Sequence, residues 1–497
     1  MEIHRLRIVL QRQWKKLELK NSRLNQKDVL IKEWNFKMNS KNKVVGQEKR
    51  VAIFILILGL IMSILVPTGQ TPDEYSHLNM IGNSVGLEKF ASNIMKSIEL
   101  ETEDIAYNYD KKINIEEQKN VLTEKPIYSR KEMLPKKITV AVIKHLPATI
   151  GIYIGIIFGL PAFWVLQLGE LFALLFYSYI CYKALQIMPI KKNMMAWFMI
   201  FPMALQQAAS INYDAVLIPL CYLFISYMLY LKYEKTYIEL RDIIGIILIW
   251  GIITYIKIPY LLFIILIFIL PLEKIHINLG FCKINAQIIK SVMVPISIGA
   301  ILLVFLGVYI FRKVWFVQII YGFVIEWKRA IYLLYATGRT WGEFLFVSTV
   351  GNLGWLDTPI CLGVAIIVFL IVIMFATVYN ANDEKHIKLK DALIIEGTAI
   401  ILCLFITIAL TNHTIMVTLY GSEFAEETYE IKEALYQIPY IGGLQGRYYL
   451  PICSLFFLPI PPSTFIESKK QNLILKVMGL TLYVYIIYIL IKRYWLI

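Results

Sequence analysis

The segment PTGQTPDEYSHLN, residues 67–79, places two adjacent acids and a histidine, Asp73, Glu74 and His77, directly after a long apolar run. A carboxylate at a membrane surface can act as general base toward an acceptor hydroxyl, or can bind Mg²⁺ or Mn²⁺ held by a phosphate. On a helix, His77 shares a face with both acids and could bind a metal or a phosphate. The same letters also fit a simple helix start, with threonine, proline and acids in order and the histidine as a structural hydrogen-bond partner.

Two further ionisable residues lie beside apolar runs. Lys257 has apolar residues on both sides, and Asp214 opens another apolar run. Charged side chains at such positions are costly in a membrane and usually face a polar cavity, although a lysine can also extend to the interface. A lysine that faces a cavity suits a phosphate as a point charge, so Lys257 is predicted to contact an anion.

Aromatic and amide side chains accompany a second cation, Arg447. It lies between Gln445 and Tyr448 in a segment that contains several glycines. A guanidinium binds phosphate or pyrophosphate through two parallel hydrogen bonds, and glycines allow close approach. Trp355 and Asp357, in GNLGWLDTP, could stack on a sugar and hydrogen-bond it. Both segments also fit interfacial anchors, an arginine beside an aromatic belt and a tryptophan before the next helix.

The composition places these residues in a membrane protein. Of the 497 residues, 58% are hydrophobic and 17% are charged, and the apolar residues are grouped in stretches of about 20. The predicted fold is all-α, a polytopic integral membrane protein with about 11 transmembrane helices. The predicted spans are 51–66, 162–186, 194–208, 214–231, 242–256, 259–271, 291–311, 360–378, 391–411, 449–466 and 473–491.

The charge distribution predicts the orientation. Residues 1–50 carry 14 Lys/Arg and 5 Asp/Glu, which is typical of a basic cytoplasmic leader before a retained signal anchor, although part of it could lie on the inner leaflet as an amphipathic helix. Residues 51–497 would then form the transmembrane domain, with a long first outer loop at 67–161. The apolar segment 138–160 is predicted to stay at the outer face as an interfacial or re-entrant helix, because another span would invert the later basic loops.

With this threading, the acids, the cations and the aromatic segments all fall at the outer ends of spans. They are therefore predicted to form one site on the outer face, and the long first outer loop is predicted to contain interfacial helices. No nucleic-acid-binding signature accompanies the positive charge, so nucleic acid is not a predicted partner.

Five motifs in this order resemble a family of bacterial polytopic membrane proteins of unknown function that is grouped with the GT-C glycosyltransferase superfamily. The motifs are Pro72-Asp73-Glu74-x-x-His77, Ser210-x-x-Tyr213-Asp214, Lys257-x-Pro259-Tyr260, Gly354-Trp355-Leu356-Asp357 and Gln445-Gly446-Arg447-Tyr448. The resemblance implies a GT-C-like fold and the transfer of a sugar from a polyprenyl phosphate with inversion at the anomeric carbon. By that analogy Asp73 or Glu74 is the base or the metal-binding carboxylate.

The predicted function is therefore a membrane glycosyltransferase that moves a sugar from a polyprenyl-phosphate carrier to a cell-envelope glycan, lipid or protein outside a bacterial cytoplasmic membrane. Asp73 and Glu74 are the candidate catalytic residues, and they could also hold Mg²⁺ or Mn²⁺. The candidate substrate-binding residues are His77, Asp214, Lys257, Trp355, Asp357, Gln445, Arg447 and Tyr448. A transporter or flippase of lipid-linked saccharides, or a non-enzymatic envelope-assembly protein, is the alternative; a transporter would be expected to show internal repeats, and the sequence has no convincing one.

Overall fold

A computed structural model describes residues 46–97, 115–124, 137–278, 283–284, 315–379, 386–421 and 430–496. Two compact units divide the chain, residues 1–52 and residues 53–497. In the first unit, residues 46–52 are helical, and the rest of the predicted leader lies outside the described residues. Every candidate site residue belongs to the second unit.

The second unit is built mainly from helices, which follow the apolar runs of the sequence. They are α1 (53–65), α2 (Glu74–Val85), α3 (Glu88–Ser97), α4 (Ile115–Glu124), α5 (Leu146–Ile157), α6 (Ala162–Ile187), α7 (Lys192–Met199), α8 (Pro202–Ala208), α9 (Asp214–Tyr233), α10 (Leu240–Ile256), α11 (Trp315–Ile325), α12 (Trp327–Gly351), α13 (Leu362–Thr377), α14 (Leu389–Ala409), α15 (Thr411–Tyr420), α16 (Ile431–Gln437), α17 (Leu450–Phe457) and α18 (Ser468–Tyr494). Turns of 3₁₀ helix occupy Val140–His145, Ile258–Ile269, Leu272–Lys274 and Gly446–Tyr448. The described residues are therefore mostly helical, as predicted.

Short strand pairs join some of these helices. In the described part of the chain, β1 (Ile277–Asn278) pairs antiparallel with β2 (Lys283–Ile284), β3 (Asn352–Leu353) pairs antiparallel with β4 (Thr358–Pro359), and β5 (Val378–Tyr379) pairs parallel with β6 (Thr464–Phe465). The β3–β4 pair sets Asn352 opposite Pro359 and closes the hairpin that carries Trp355.

Five described helices are long and apolar enough to cross a membrane: Val140–Ile157, Ala162–Ile187, Asp214–Tyr233, Leu389–Tyr420 and Lys469–Tyr494. Ile258–Ile269 and Leu362–Thr377 are apolar but shorter. The predicted span 291–311 lies outside the described residues. The membrane-protein class therefore agrees with the structure, while the predicted number of about 11 spans remains a prediction.

Two predicted spans form helices too short to cross a bilayer. The run 194–208 is divided between α7 and α8, because Pro202 starts a new helix, and every side chain in that run is buried in the protein. In the run 449–466 only α17, with 8 residues, is helical, and it ends before Pro459, Pro461 and Pro462. Hydropathy shows that a run is apolar but does not show whether lipid or protein covers it.

Helix α6 runs antiparallel to α1 and then pairs with α5. Near the end of α1, Ser63 donates a hydrogen bond to Glu170 of α6 (2.6 Å). Earlier residues of α6 pack on α5 so closely that a Cβ on Gly151 would lie 2.2 Å from the Leu168 carbonyl oxygen. Glycine permits this backbone contact. Helix α5 and the first turns of α6 therefore lie beyond the carboxyl end of α1.

The first-loop helices are packed rather than extended. Ile81 of α2, Phe90 of α3 and Leu122 of α4 join Ile152 of α5 and Val165 of α6 in one buried apolar cluster. This cluster fixes α2, and hence the acids at its start, against the beginning of α6.

Candidate functional site

Arg447 lies at the centre of the candidate site. Only 2% of its side chain is exposed, and its guanidinium forms an ion pair with Asp73. The Nη1 atom donates to the Pro72 carbonyl oxygen (3.0 Å) and to Gln207 Oε1 (3.0 Å), and it lies 3.7 Å from Asp214 Oδ2. The Nε atom is buried without a hydrogen-bond acceptor. One guanidinium therefore joins the loop after α1 to the start of α9.

Helices α12 and α15 position the segment that leads to Arg447. Thr337 of α12 accepts a hydrogen bond from the Ile441 amide through Oγ1 (2.9 Å), and Thr414 of α15 does the same for the Gly442 amide (2.9 Å). Next to Arg447, Gly446 rests on the last turns of α12, where an added Cβ would lie 2.2 Å from the Thr349 amide nitrogen. The glycine before the arginine is thus required by backbone contact.

Asp73 has a backbone conformation that non-glycine residues seldom adopt. Its φ is 65°, and although it occupies the N-cap position of α2, its side chain makes no capping hydrogen bond. The side chain is 50% exposed and pairs with Arg447 instead. The helix start expected at Thr71 and Pro72 therefore lies two residues later, and capping does not account for the Asp73 carboxylate.

Glu74 points away from Arg447 into the protein. Its carboxylate accepts hydrogen bonds from the amides of Gly69 (2.7 Å) and Ile211 (2.8 Å), and only 2% of the residue is exposed. Burial raises the pKa of Glu74 to about 7. A cavity of about 10 Å³, enough for one water, lies between Glu74 and the buried Glu170. In this arrangement Glu74 fastens the loop after α1 to the turn before α9.

Asp214 and its neighbours form the second wall of the site. Asp214 begins α9 and is 3% exposed, and its amide donates to Asn212 Oδ1 (2.9 Å). Asn212 in turn donates to Gln207 Oε1 (2.8 Å) and to the Pro72 carbonyl oxygen (3.2 Å). These bonds hold the Asp214 carboxylate beside Arg447.

Lys257 follows α10 and enters the same region. Its ammonium Nζ lies 3.5 Å from the centre of the Tyr448 ring and 5.8 Å from that of Tyr213, and it is buried without a hydrogen-bond acceptor. Burial lowers the pKa of Lys257 to about 8, although Asp214 acts in the opposite direction. Tyr260 donates to the Tyr448 carbonyl oxygen (2.6 Å) and fixes the backbone there. The site therefore contains an ammonium group that contacts two aromatic rings through cation–π interactions but has no hydrogen-bond acceptor.

His77 bonds to another histidine rather than to either acid. Its Nδ1 lies 2.9 Å from His145 Nε2, and its ring packs edge-on against Tyr213 with centroids 4.4 Å apart. Burial, with the nearby His145, Arg447 and Lys257, lowers the pKa of His77 well below its usual value. A neutral imidazole pair thus supports the Tyr213 side of the site.

The β3–β4 hairpin contacts the loop after α1 through Trp355. The indole Nε1 donates to the Gly69 carbonyl oxygen (2.5 Å). Gln206 of α8 exchanges two hydrogen bonds with the backbone of Gly354 (2.9 and 3.1 Å). Asp357, predicted to bind substrate, is paired with Arg493. Trp355 is therefore next to the site loop, while Asp357 faces the carboxyl-terminal helix.

Gln445 is held in the segment before Arg447. Its backbone carbonyl oxygen accepts a hydrogen bond from the Tyr448 amide (3.0 Å), whereas its side-chain Oε1 is buried without a donor. A hydroxyl or an amide N–H is the kind of donor that satisfies such an oxygen.

The predicted Mg²⁺ or Mn²⁺ does not fit these carboxylates well. Glu74 is bonded to two amides and Asp73 to a guanidinium, so the two do not converge on one point. Among the residues that the structure describes, no group of three or more His, Cys, Asp or Glu side chains could hold a metal ion.

Several residues of the site were not singled out as site residues from the sequence. Gln207, Asn212 and Tyr213 line the site. Glu170 lies across the small cavity from Glu74, and His145 bonds to His77. Adjacent glutamines in the apolar run 203–209 and an acid within α6 were signals available in the sequence, because buried polar groups in membrane helices usually have partners.

A comparison with protein-family models matches residues 56–456, more than half of the chain, to a family described as a predicted membrane protein, DUF2142. The chain belongs to this family. The match covers Asp73, Asp214, Lys257 and Arg447, and it ends before α18. Comparisons with curated proteins and with solved structures found no match. This DUF2142 member is therefore a membrane protein by family and by its apolar helices.

Proposed function

We propose that this DUF2142 protein is a membrane glycosyltransferase that takes a sugar from a polyprenyl phosphate. The observation that carries the proposal is the buried Lys257 ammonium, which has no hydrogen-bond acceptor and lies over the ring of Tyr448, the residue next to Arg447. A buried cation without a partner is costly, and an incoming anion removes that cost. The proposed class of reaction is GT-C-like group transfer.

The phosphate of the donor is assigned to Lys257 and Arg447. The Nη atoms of Arg447 are occupied by protein acceptors, which leaves its Nε and the Lys257 ammonium for a ligand. The Tyr448 ring covers both cations, 3.5 Å from Lys257 Nζ and 5.3 Å from the Arg447 guanidinium carbon. A rotation of this ring about its fixed backbone would admit the phosphate.

Asp73 is the proposed general base. It is half-exposed, whereas Glu74 and Asp214 are buried and bonded. The acceptor hydroxyl oxygen attacks the anomeric carbon and its proton passes to the Asp73 carboxylate. The bond from that carbon to the phosphate oxygen breaks, and the electron pair leaves with polyprenyl phosphate, whose charge Lys257 and Arg447 stabilise. Attack opposite the leaving group inverts the anomeric centre.

The prenyl chain of the donor is proposed to lie along the exposed apolar side chains next to the 140–145 turn and on α10. These two elements pack together, and Lys144 lies over the Tyr255 ring at 5.3 Å. Leu146 and Ile150 on one side and Leu248 on the other are exposed apolar residues. As a prenyl phosphate enters beside these residues, its phosphate would meet Lys144 before it reaches Lys257.

Helix directions support the predicted topology. Phe54 packs near Gly479 and Tyr483, whereas Trp495 bonds to Leu65, so α1 and α18 run in the same direction. With α1 as the first predicted span and α18 as the last, parallel directions require an odd number of crossings. The predicted count of 11 is odd, so the helix directions are consistent with it.

The test is a deletion strain complemented with wild type, Asp73→Asn or the control Glu88→Gln. Asparagine tolerates the left-handed backbone at position 73 but cannot act as the base. Glu88 is an exposed acid paired with Lys137. Wild type and the control should restore an envelope glycan that Asp73→Asn does not restore, and equal restoration by all three would refute the role of Asp73.

A further inference from the structure

The last turn of α18 is bonded to the hairpin that touches the site loop. Arg493 Nε donates to Asp357 Oδ2 (3.0 Å), and Nη2 donates to the same oxygen. The side chains are 11% and 18% exposed. A largely buried, charge-assisted pair with two donors holds its geometry better than an exposed one.

Tyr494 packs against the same hairpin at Gly354. It is 0% exposed, and a Cβ on Gly354 would lie 2.6 Å from its hydroxyl oxygen. Gly354 has φ 62°, so the hairpin needs glycine there both for its conformation and for this contact.

Trp495 reaches the end of α1 directly. Its Nε1 donates to the Leu65 carbonyl oxygen (3.3 Å). From the other direction, Trp355 in the hairpin donates to the Gly69 carbonyl oxygen. The loop from Leu65 to Asp73 is therefore held at two points by groups that α18 positions.

We propose that Arg493, Tyr494 and Trp495 form a carboxyl-terminal clamp that positions the Asp73 loop. These residues lie beyond the family match, which ends at residue 456. None of them contacts Asp73, so they are positioning residues that act through Trp355 and Leu65. The inference rests on the proposed function only for the statement that Asp73 is the reacting group.

The clamp explains why Asp73 can keep an uncommon backbone conformation. A non-glycine residue with φ 65° is disfavoured on its own and persists where the surroundings impose it. Arg447 binds the Asp73 side chain, and the clamp restrains the chain before it.

Hydrogen–deuterium exchange on the purified full-length protein in nanodiscs tests the clamp without any substrate. Arg493→Gln and Trp495→Phe remove hydrogen bonds, Arg493→Lys keeps the charge, and Lys492→Ala changes an exposed neighbour. In Arg493→Gln, amides of residues 65–75 should exchange on the order of tenfold faster, as expected for the loss of a charge-assisted hydrogen bond. Arg493→Lys should recover part of the protection, and Lys492→Ala should match wild type.

Two outcomes are distinguishable. Faster exchange in residues 65–75 together with 352–360 supports the clamp. Faster exchange confined to 352–360 and 488–496 would show that α18 stabilises only the hairpin, and it would overturn the proposal. Because the measurement needs no donor or acceptor, its result does not depend on whether the protein transfers a sugar.

Discussion

Raising the pH should weaken phosphate binding from about pH 8 upward, because Lys257 loses its charge there. Burial lowers its pKa from 10.5 to about 8, which corresponds to about 3 kcal/mol against the charged form. The ligand binds the charged ammonium, so its affinity is highest below pH 8. Above pH 8 the affinity falls about tenfold per pH unit until the usual lysine range is reached. A lysine with its ordinary pKa would give no loss below about pH 10.

The assay is binding of a short isoprenoid phosphodiester to the purified protein in nanodiscs, measured from about pH 6 to about pH 10. A phosphodiester keeps its single charge over that range, so the ligand does not titrate. Lys257→Arg should remove the pH dependence, because arginine stays charged. Lys257→Gln should bind weakly at every pH.

Two results would refute this reasoning. Wild type could bind equally well at pH 7 and pH 9.5, or Lys257→Arg could lose affinity over the same range as wild type. The first result would show that no ionisation of Lys257 in this range is linked to binding, and the second would show that the titrating group is not Lys257. Unchanged binding by Lys257→Gln would remove Lys257 from the phosphate site.

Three other changes have expected outcomes. Gly446→Ala should prevent accumulation of folded protein, because its Cβ would meet backbone at 2.2 Å, while Gly442→Ala, whose nearest contact is 3.9 Å, should fold normally in size-exclusion profiles. Trp355→Phe should lose about 1 kcal/mol of stability with the bond to Gly69, measured as a lower midpoint of thermal unfolding, and no change would contradict the contact. The free energy of unfolding of wild type should fall relative to that of His77→Asn as the pH drops below about 6.5. The reason is that His77 binds a proton in the unfolded chain but not when it is buried. Parallel pH profiles of the two proteins would contradict this.

Much of the site could be predicted because each element carries a polar residue in an apolar context. Asp73, Asp214, Lys257 and Arg447 stand out in a membrane sequence, and the structure brings them together. Polar groups next to apolar runs are costly, so their positions indicate function.

The direction of individual side chains could not be predicted. Asp73 and Glu74 are adjacent, yet one pairs with Arg447 and the other with backbone amides, because Asp73 has a positive φ. That conformation depends on contacts with residues hundreds of positions away. The pairing of Asp357 with Arg493 has the same cause, since α18 meets the hairpin only in the folded protein.

The lengths of some helices could not be predicted from the sequence either. The apolar run 194–208 predicts a span, but Pro202 divides it and neighbouring helices bury it completely. The run 138–160 gives an apolar helix that packs on the first turns of α6 beyond the end of α1. Its predicted place at the outer face stays a prediction, and cysteine labelling of Ile138→Cys from outside the cell addresses it.

The Asp73→Asn strain is expected to accumulate the lipid-linked sugar, and chemical conversion of this lipid by the purified protein tests sugar transfer most directly. That lipid is extracted, incorporated into liposomes with purified wild-type protein and an envelope acceptor extract, and followed by mass spectrometry. The lipid-linked sugar should disappear while polyprenyl phosphate and a glycosylated acceptor appear, and Asp73→Asn protein should leave it intact. If wild-type protein moves the lipid across the bilayer but leaves its sugar attached, the protein is a transporter and the transferase account is contradicted.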